Sequence, residues 1–378
     1  MRVAIITDER IARLGAGDWM QARQTCRAMR ELAGVSVDHF LVDCQANTLR
    51  RTEESDNVPI SRLRQYEVCH AIPAIRGVSA LAGIAAHRGE RSLLVASPIF
   101  WDSFAHRLIC AYNDPQSWPV IFNFFANRVG LRRGTRDAYS LYDLLLFNSE
   151  AEVRSFRKRG PPLPNGVQIG VVPNGIEPLP AYAHACERPK QISSNEYIVY
   201  PGVFSPRKNQ LGFICAMERS PRTVIFLGGA LPSSEASARY YAKCRATAPD
   251  RYVFMGPVPH YSEEFFGALR HARVACLASS CETPGLALLE AAALGTRVVA
   301  PMEGSALEYF GAAAEYVNPL RPSSIRETVN LAWQRGRLSL SEMATIQLHP
   351  WIEIANSTVA LYRAGLSARR IANCVRLP

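Results

Sequence analysis

Short apolar runs alternate with longer helix-patterned stretches along the whole chain, and this alternation most narrows the folds open to it. In the first half the strand-like runs are residues 3–7, 37–43, 92–96, 120–124 and 144–148. Between the first two, "DWMQARQTCRAMRELAG" sets Met20, Cys26, Met29 and Leu32 on one face and offers Gly34 as a stop. In the second half the runs are 197–200, 223–227, 251–255, 274–278, 297–300 and 314–317, again with helical patterns between them. Strand–helix alternation implies a parallel sheet covered by helices on both faces. Each half reads as a doubly wound α/β unit of Rossmann type.

Length agrees: 378 residues suit two domains of roughly 150–200 residues each. The boundary falls in residues 160–197, rich in Pro, Gly, Ser and Asn, with one strand-like run at 168–172 and a linker near 178–195. The expected domains are 1–180 and 195–350. Residues 351–378 follow Pro350 as an amphipathic helix with Ile352, Ile354, Ala355, Val359 and Tyr362 on one stripe.

Composition removes several classes. Hydrophobic content of 48% and charged content of 20% argue against disorder. No apolar run reaches the roughly 20 residues of a membrane-spanning helix, and the start "MRVAIITDER" is too short an apolar run for a signal peptide. The ten cysteines form no CxxC pair and no metal-spaced cluster, so they read as reduced core thiols of a cytoplasmic protein, with no metal site. The net charge of +10 is almost all arginine, concentrated at 127–136 and 154–160. A basic surface is either simply solvated or attractive to anionic lipid, phosphorylated substrate or nucleic acid. No zinc finger, RNP-type motif or basic helix repeat supports nucleic acid, which ranks last.

Three places carry chemistry. In "ACLASSCETPGLALLEAAALGTRVVAP", Glu282 lies just past a strand, at the sheet edge where open α/β sheets bind ligands. Thr283 and Pro284 are suited to open a helix, and Gly285 permits close approach to the backbone. Glu290 lies further along the same apolar segment, where a carboxylate is costly unless it accepts hydrogen bonds. A ribose diol would supply two donors; an internal salt bridge or a solvent-facing position is the alternative. In "YPGVFSPRKNQ", Gly202 follows a strand, and Arg207 and Lys208 stand at the mouth of a helix, suited to clamp a diphosphate or simply to face water. "GAGDWM" sets Gly15 and Gly17 in a loop before a helix; its spacing is not GxGxxG, and a tight turn without ligand reads equally well.

Together these segments resemble the group 1, or family 4, retaining glycosyltransferases of the GT-B fold. "SSCETPGLALLEAAALGTRVVAP" is similar to the family's E-x7-E segment, "YDLLLFNSEAEVRSF" to a late strand of the first domain, and "VVPNGIEP" to the turn before the linker. "GPVPHYSEEFFGALRHARVACLAS" resembles the segment bordering the nucleotide base, and "PWIEIANSTVALYRAGL" the C-terminal helix that crosses back to the first domain. The specific likeness spans roughly residues 141–365; before that it is one of pattern.

The resemblance implies two Rossmann-like domains facing a cleft, with 351–378 joining the first. Glu290 would hold ribose hydroxyls, and Glu282 with the backbone of Thr283, Pro284, Gly285 and Leu286 would position the donor sugar. Lys208 and Arg207 would stabilise the leaving diphosphate. Pro257 to His260, Val258 among them, would flank the base beside Gly202, and the Gly15–Gly17 loop would face the phosphates. Transfer would need no metal or other cofactor. Two positions depart from the family pattern: Val203 stands where many relatives carry arginine, and Asn123 is nearest to the place of a first-domain histidine. His70 and His106 read as packed or surface residues. The expected function is transfer of a sugar from a nucleoside-diphosphate donor to a glycan or lipid-linked acceptor in bacterial cell-envelope synthesis, in the cytoplasm at an anionic membrane face. The rivals are a degenerate binding or scaffold partner, a nucleotide-sugar epimerase and a phosphorylase.

Overall fold

The computed structural model describes all residues except 10, 11, 13–16, 44–47, 54–56, 74–83, 87, 88, 90, 102, 103, 114–138, 233 and 376–378, and gives the backbone alone for 104–106 and 372–375. The chain forms two compact units. The first comprises Met1–Trp101, Ala126–Gly175 and His349–Pro378, the second Asp102–Phe125 and Ile176–Leu348.

The first unit holds strands β1 (Arg2–Asp8), β2 (Ser36–Asp43), β3 (Thr48–Arg51), β4 (Asn57–Pro59), β5 (Val68–Ala71), β6 (Leu93–Ala96), β7 (Leu144–Phe147) and β8 (Gln168–Val171). They form one sheet in the order β4-β3-β2-β1-β5-β6-β7-β8. Pairing is parallel except at β2–β3 and β3–β4. On β1 the side chains alternate between two cores. Val3 and Ile5 pack in the cluster with Ala22, Met29 and Tyr362, while Ala4 and Ile6 pack with Tyr66, Phe147 and Phe156. Burial of both faces is what a mainly parallel sheet requires.

The antiparallel pair β3–β4 and the strand β5 were not legible as apolar runs. "TLRR" and "NVP" are short and polar, and "VCHA" has a histidine within four residues. Their strand state comes from sheet neighbours rather than from local pattern. The strand expected at 120–124 lies outside the described residues.

The second unit holds β9 (Tyr197–Pro201), β10 (Thr223–Leu227), β11 (Val253–Gly256), β12 (Val274–Cys276), β13 (Arg297–Pro301) and β14 (Ala314–Val317). They form a fully parallel sheet in the order β11-β10-β9-β12-β13-β14. The chain builds outward from β9 to β11 on one side, then crosses to β12 and builds outward on the other. The switch point therefore lies between β9 and β12.

Helices in chain order are α1 (Gly17–Arg30), α2 (Phe104–Asn113), α3 (Glu150–Arg159), α4 (Gln210–Met217), α5 (Glu235–Thr247), α6 (Glu263–Arg270), α7 (Leu286–Ala293), α8 (Ala306–Phe310), α9 (Pro322–Arg335), α10 (Leu340–Met343) and α11 (Trp351–Val375). Their ends follow local chemistry. Ser149 caps α3 by accepting from the Glu152 N–H, and α3 begins with acids and ends in Arg157, Lys158 and Arg159, which suits its dipole. Gly34, just past α1, takes φ +75°, a conformation that favours glycine. Helix α2, drawn from the sequence region expected in the first domain, groups with the second unit. There Asn113 donates to the Pro206 carbonyl (3.0 Å) and to Asn209 Oδ1 (2.9 Å).

Helix α11 belongs to the first unit and packs on α1 and β6. Trp351, Ile354, Ala355, Val359, Tyr362 and Leu366 are buried. The expected stripe is corrected at one position: Ile352 points outward at 37% exposure, because the buried face runs through Trp351 instead. Gly175, in the "VVPNGIEP" turn, lies against that tryptophan; a Cβ there would come within 2.5 Å of the Trp351 ring. Of the described cysteines, Cys26, Cys69, Cys186, Cys244, Cys276 and Cys281 are buried, whereas Cys215 is exposed on α4. No described helix is long and apolar enough to cross a membrane.

Candidate functional site

The C-terminal ends of β9 and β12 flank the switch point of the second sheet, where ligands of open α/β sheets bind. Gly202 follows β9 directly, with φ +127°, and a Cβ on it would lie 3.7 Å from the Lys208 side chain. The next residues form a 3-10 turn, Pro206–Lys208. The loop after β12 carries Glu282.

These two loops are joined by several bonds. Lys208 Nζ lies 2.6 Å from Glu282 Oε1. Arg207 donates to the Cys281 carbonyl (3.1 Å), and its own carbonyl accepts from the Ser280 N–H (2.9 Å). Two residues that sequence reasoning missed complete the frame. Tyr200, buried on β9, donates its hydroxyl to the Lys208 carbonyl and accepts from the Ala278 N–H. Asn209, at φ +55°, accepts from Asn113 and donates to the carbonyls of Ala278 and Pro319. The only sequence signal for Asn209 was an asparagine, a residue that tolerates the left-handed region, next to the expected lysine. Tyr200 was visible only as one more apolar strand residue.

Glu282 is buried at 5% side-chain exposure. Burial alone would raise its carboxyl, but the Lys208 ammonium and the Arg207 guanidinium outweigh that and hold it below the usual carboxylate range. Burial lowers Lys208, against the opposing pull of Glu282. The carboxylate is thus favoured in its ionised form, and the lysine beside it, 13% exposed, is stripped of most of its water. A third contact fixes the glutamate's backbone: Glu282 pairs with Gly304, the Ser305 N–H donating to the Glu282 carbonyl at 2.9 Å.

The helix after Glu282 begins later than the sequence suggested. Helix α7 starts at Leu286, and its cap is Gly285 at φ +90°, with no side-chain cap bond. The backbone turns through a conformation open to glycine, which displaces Thr283 and Pro284 from the expected cap and first-turn positions. They form the bend between Glu282 and the helix.

Glu290 sits one turn into α7 with its side chain 2% exposed. Its Oε1 lies 2.8 Å from His260 Nε2, and its Oε2 has no hydrogen-bond partner among the described residues. Burial raises this carboxyl above the ordinary range, and the His260 hydrogen bond opposes the rise. The carboxylate does not face solvent, and its internal partner engages only one of the two oxygens. His260, the last residue of the segment expected to flank a base, is hydrogen-bonded to that carboxylate. Val258 is half-buried and packs on the second unit's core.

Lys208, Arg207, Glu282, Gly285, Leu286, Glu290, Gly202 and Val258 therefore all lie in the second unit. Gly17 opens α1 in the first unit. Gly15 and Asn123 lie outside the described residues. His70 is a packed residue: it is buried, bonded to Tyr362 (2.6 Å) and Ser97 (3.0 Å), and its pKa is lowered by burial to about 3. The side chain of His106 lies outside the described residues.

Two α/β units, each built on a wholly or mainly parallel sheet, match the GT-B fold of solved glycosyltransferases over the full chain. Sucrose-phosphate synthase from Thermosynechococcus elongatus shares this fold at TM-score 0.67 and 18% identity, with 97% of this chain and 100% of that chain covered. Alr3699/HepE of Anabaena, in complex with UDP, shares it at TM-score 0.59 and 16% identity over 99% of each chain. The lipopolysaccharide outer core galactosyltransferase WaaB, in its apo form, does so at TM-score 0.59 and 11% identity, covering 96% of this chain and 100% of its own. No curated protein sequence matches the chain significantly. Residues 187–334 match the family model of glycosyl transferases, group 1. That match takes in β9 to β14 and both loops of the Lys208–Glu282 pair, so this stretch of the second unit is similar to that family.

Proposed function

We propose that the chain transfers a sugar from a nucleoside-diphosphate donor, with retention of configuration, to a glycan or lipid-linked acceptor. The observation that carries this reading is Glu290. A buried carboxylate has two oxygens to satisfy, and here one is unpartnered among the described residues, so a pair of donors reaching both would complete it. The vicinal hydroxyls of a ribose are such a pair. From that anchor the diphosphate runs toward Lys208 and Arg207, and the sugar toward Glu282. The complexes of HepE with UDP and with UDP-glucose support a nucleotide-sugar donor.

In the reaction the bond between the anomeric carbon and the β-phosphate oxygen breaks. The acceptor oxygen bonds to that carbon on the same face, and its proton passes to the leaving phosphate. Lys208 stabilises the charge that grows on the diphosphate. Its shift from Glu282 toward phosphate keeps the ammonium paired throughout. No side chain need act as nucleophile, and the proposal assigns no metal or other cofactor. The basic surface and the galactosyltransferase neighbour support a place in cell-envelope polysaccharide or lipopolysaccharide assembly, at the cytoplasmic face of an anionic membrane. A second reading, a binding partner without transfer, is favoured by Val203: it is 37% exposed and uncharged where many relatives carry arginine.

Thermal unfolding with UDP, GDP and ADP tests the donor site. A ligand at a hundred times its Kd stabilises by about 2.7 kcal/mol. One nucleotide is expected to raise the transition of the wild type, and Glu290→Ala and Lys208→Ala to cut that shift. No shift with any of the three removes the donor site. A shift without release of nucleotide from nucleotide sugars in the presence of a screened acceptor set selects the second reading.

A further inference from the structure

The contact between His260 and Glu290 is not required by anything in the transfer step. His260 lies on the loop between β11 and α6, its side chain 34% exposed, whereas Glu290 beneath it is 2% exposed. The loop is held firmly. Tyr261 has φ +66°, and its carbonyl accepts the Tyr182 hydroxyl at 2.6 Å. The imidazole is flanked edge-on by Tyr261 (4.4 Å between centroids) and Phe265 (4.9 Å). An ionised carboxylate only accepts, so against Glu290 in that form Nε2 carries the hydrogen in the 2.8 Å bond to Oε1. Of the two groups, only the imidazole faces solvent appreciably.

We propose that His260 is a specificity-determining gate: its Nε2–H holds the Glu290 oxygen that a ribose hydroxyl takes, and a nucleotide binds by exchanging one donor for the other. The inference rests on the reading of Glu290 as the ribose anchor. The exchange is balanced only for a full diol. Two hydroxyls replace the lost imidazole bond and also satisfy Oε2, which has no partner otherwise. A deoxyribose brings one donor, so displacing His260 leaves a buried carboxylate short of hydrogen bonds, the costly case. With His260 removed, water reaches Glu290 and remains where a hydroxyl is missing, so the penalty on deoxyribose falls. Burial also raises the Glu290 carboxyl, which makes the identity of its donor matter more.

The test compares UDP, GDP and ADP with their 2′-deoxy counterparts by calorimetry, on the wild type, His260→Ala, His260→Gln and Glu290→Ala. The wild type is expected to favour the ribo form by roughly tenfold or more, the scale of a hydrogen bond to a charged group. His260→Ala is expected to lower that ratio to about threefold or less, chiefly through tighter deoxy binding. His260→Gln, which retains a donor, is expected to restore it. A merely structural role would weaken both nucleotides together and leave the ratio unchanged. If Glu290→Ala abolishes the preference while His260→Ala leaves it intact, the gate is overturned and the ribose anchor stands. If no nucleotide binds, or Glu290→Ala leaves the preference unchanged, the anchor itself fails and the gate with it.

Discussion

Glu152 shows how a single residue can be fully buried, charged on paper and still not belong to the candidate site. It lies in α3 of the first unit at 0% exposure and accepts from the backbone N–H groups of Phe100 (2.6 Å) and Asn148 (2.8 Å). Burial pushes its carboxyl up to about 7; the two N–H bonds oppose the rise and the charge of Asp18 adds to it. The sign of the consequence is fixed. The folded state holds its proton more tightly than the unfolded state, whose ordinary value is 4.5. The contribution is therefore fully present below pH 4.5, declines as pH rises to about 7, and is flat above. The decline is on the order of 3 kcal/mol. His70 runs the other way, since its lowered value costs stability as pH falls below its ordinary 6.5. The effect is thus read as the difference between wild type and Glu152→Gln. In urea unfolding of the first unit, the wild type is expected to lose stability relative to the variant between pH 4.5 and 7. A constant difference across that range would refute the assignment. In the sequence, Glu152 was one more acid in "NSEAEV"; nothing local marks it as buried, because its burial is supplied by the distant Phe100 loop.

At the scale of elements, the sequence disclosed the strands better than the loops that matter. Runs such as "TVIFL" and "AEYV" carry enough apolar residues to be recognised alone, and their bounds agree with β10 and β14. The candidate-site residues Glu282, Glu290, Arg207 and Lys208 drew notice in the sequence because charges stand out against an apolar strand–helix background. Their partners were not legible. Tyr200, Asn209 and His260 act through contacts across 8, 69 and 30 positions of chain, and a single sequence has no signal for such pairings. Gly304 is the clearest case. Its φ is +118°, and a Cβ on it would come 2.1 Å from the Glu282 carbonyl oxygen. Gly304→Ala must therefore push the Glu282 loop away from β13 and spoil the geometry of the Lys208–Glu282 pair. A stability loss of about 1–3 kcal/mol is expected from the strained backbone, along with weaker stabilisation by whichever nucleotide is found to stabilise the wild type. An unchanged nucleotide response in a folded Gly304→Ala protein would show that Glu282 is not held from that side.

The whole molecule is threaded so that its first unit is not finished until the last residues. The chain leaves that unit after Trp101, rejoins it at Ala126, leaves again at Gly175 and returns at His349. Helix α11 then supplies part of the core that α1, β6 and β7 leave open: Trp351, Ile354, Val359, Tyr362 and Leu366 all pack there. At about 1.5–3 kcal/mol for each large apolar side chain buried, these five contribute roughly 10 kcal/mol, comparable with the whole stability of a domain, about 5–15 kcal/mol. Their loss would also leave His70 buried without its Tyr362 partner. No described side chain of α11 belongs to the second unit's core. A protein ending at Leu348 is therefore expected to lose the first unit and retain the second. Limited proteolysis should cut freely within residues 1–101 and 126–175 while 187–334 resist. The remaining thermal transition should still respond to the nucleotide that stabilises the intact chain. If the truncated protein instead keeps a protease-resistant first unit, α11 is a surface addition, and the burial of Tyr362 and Trp351 contributes far less than their area implies.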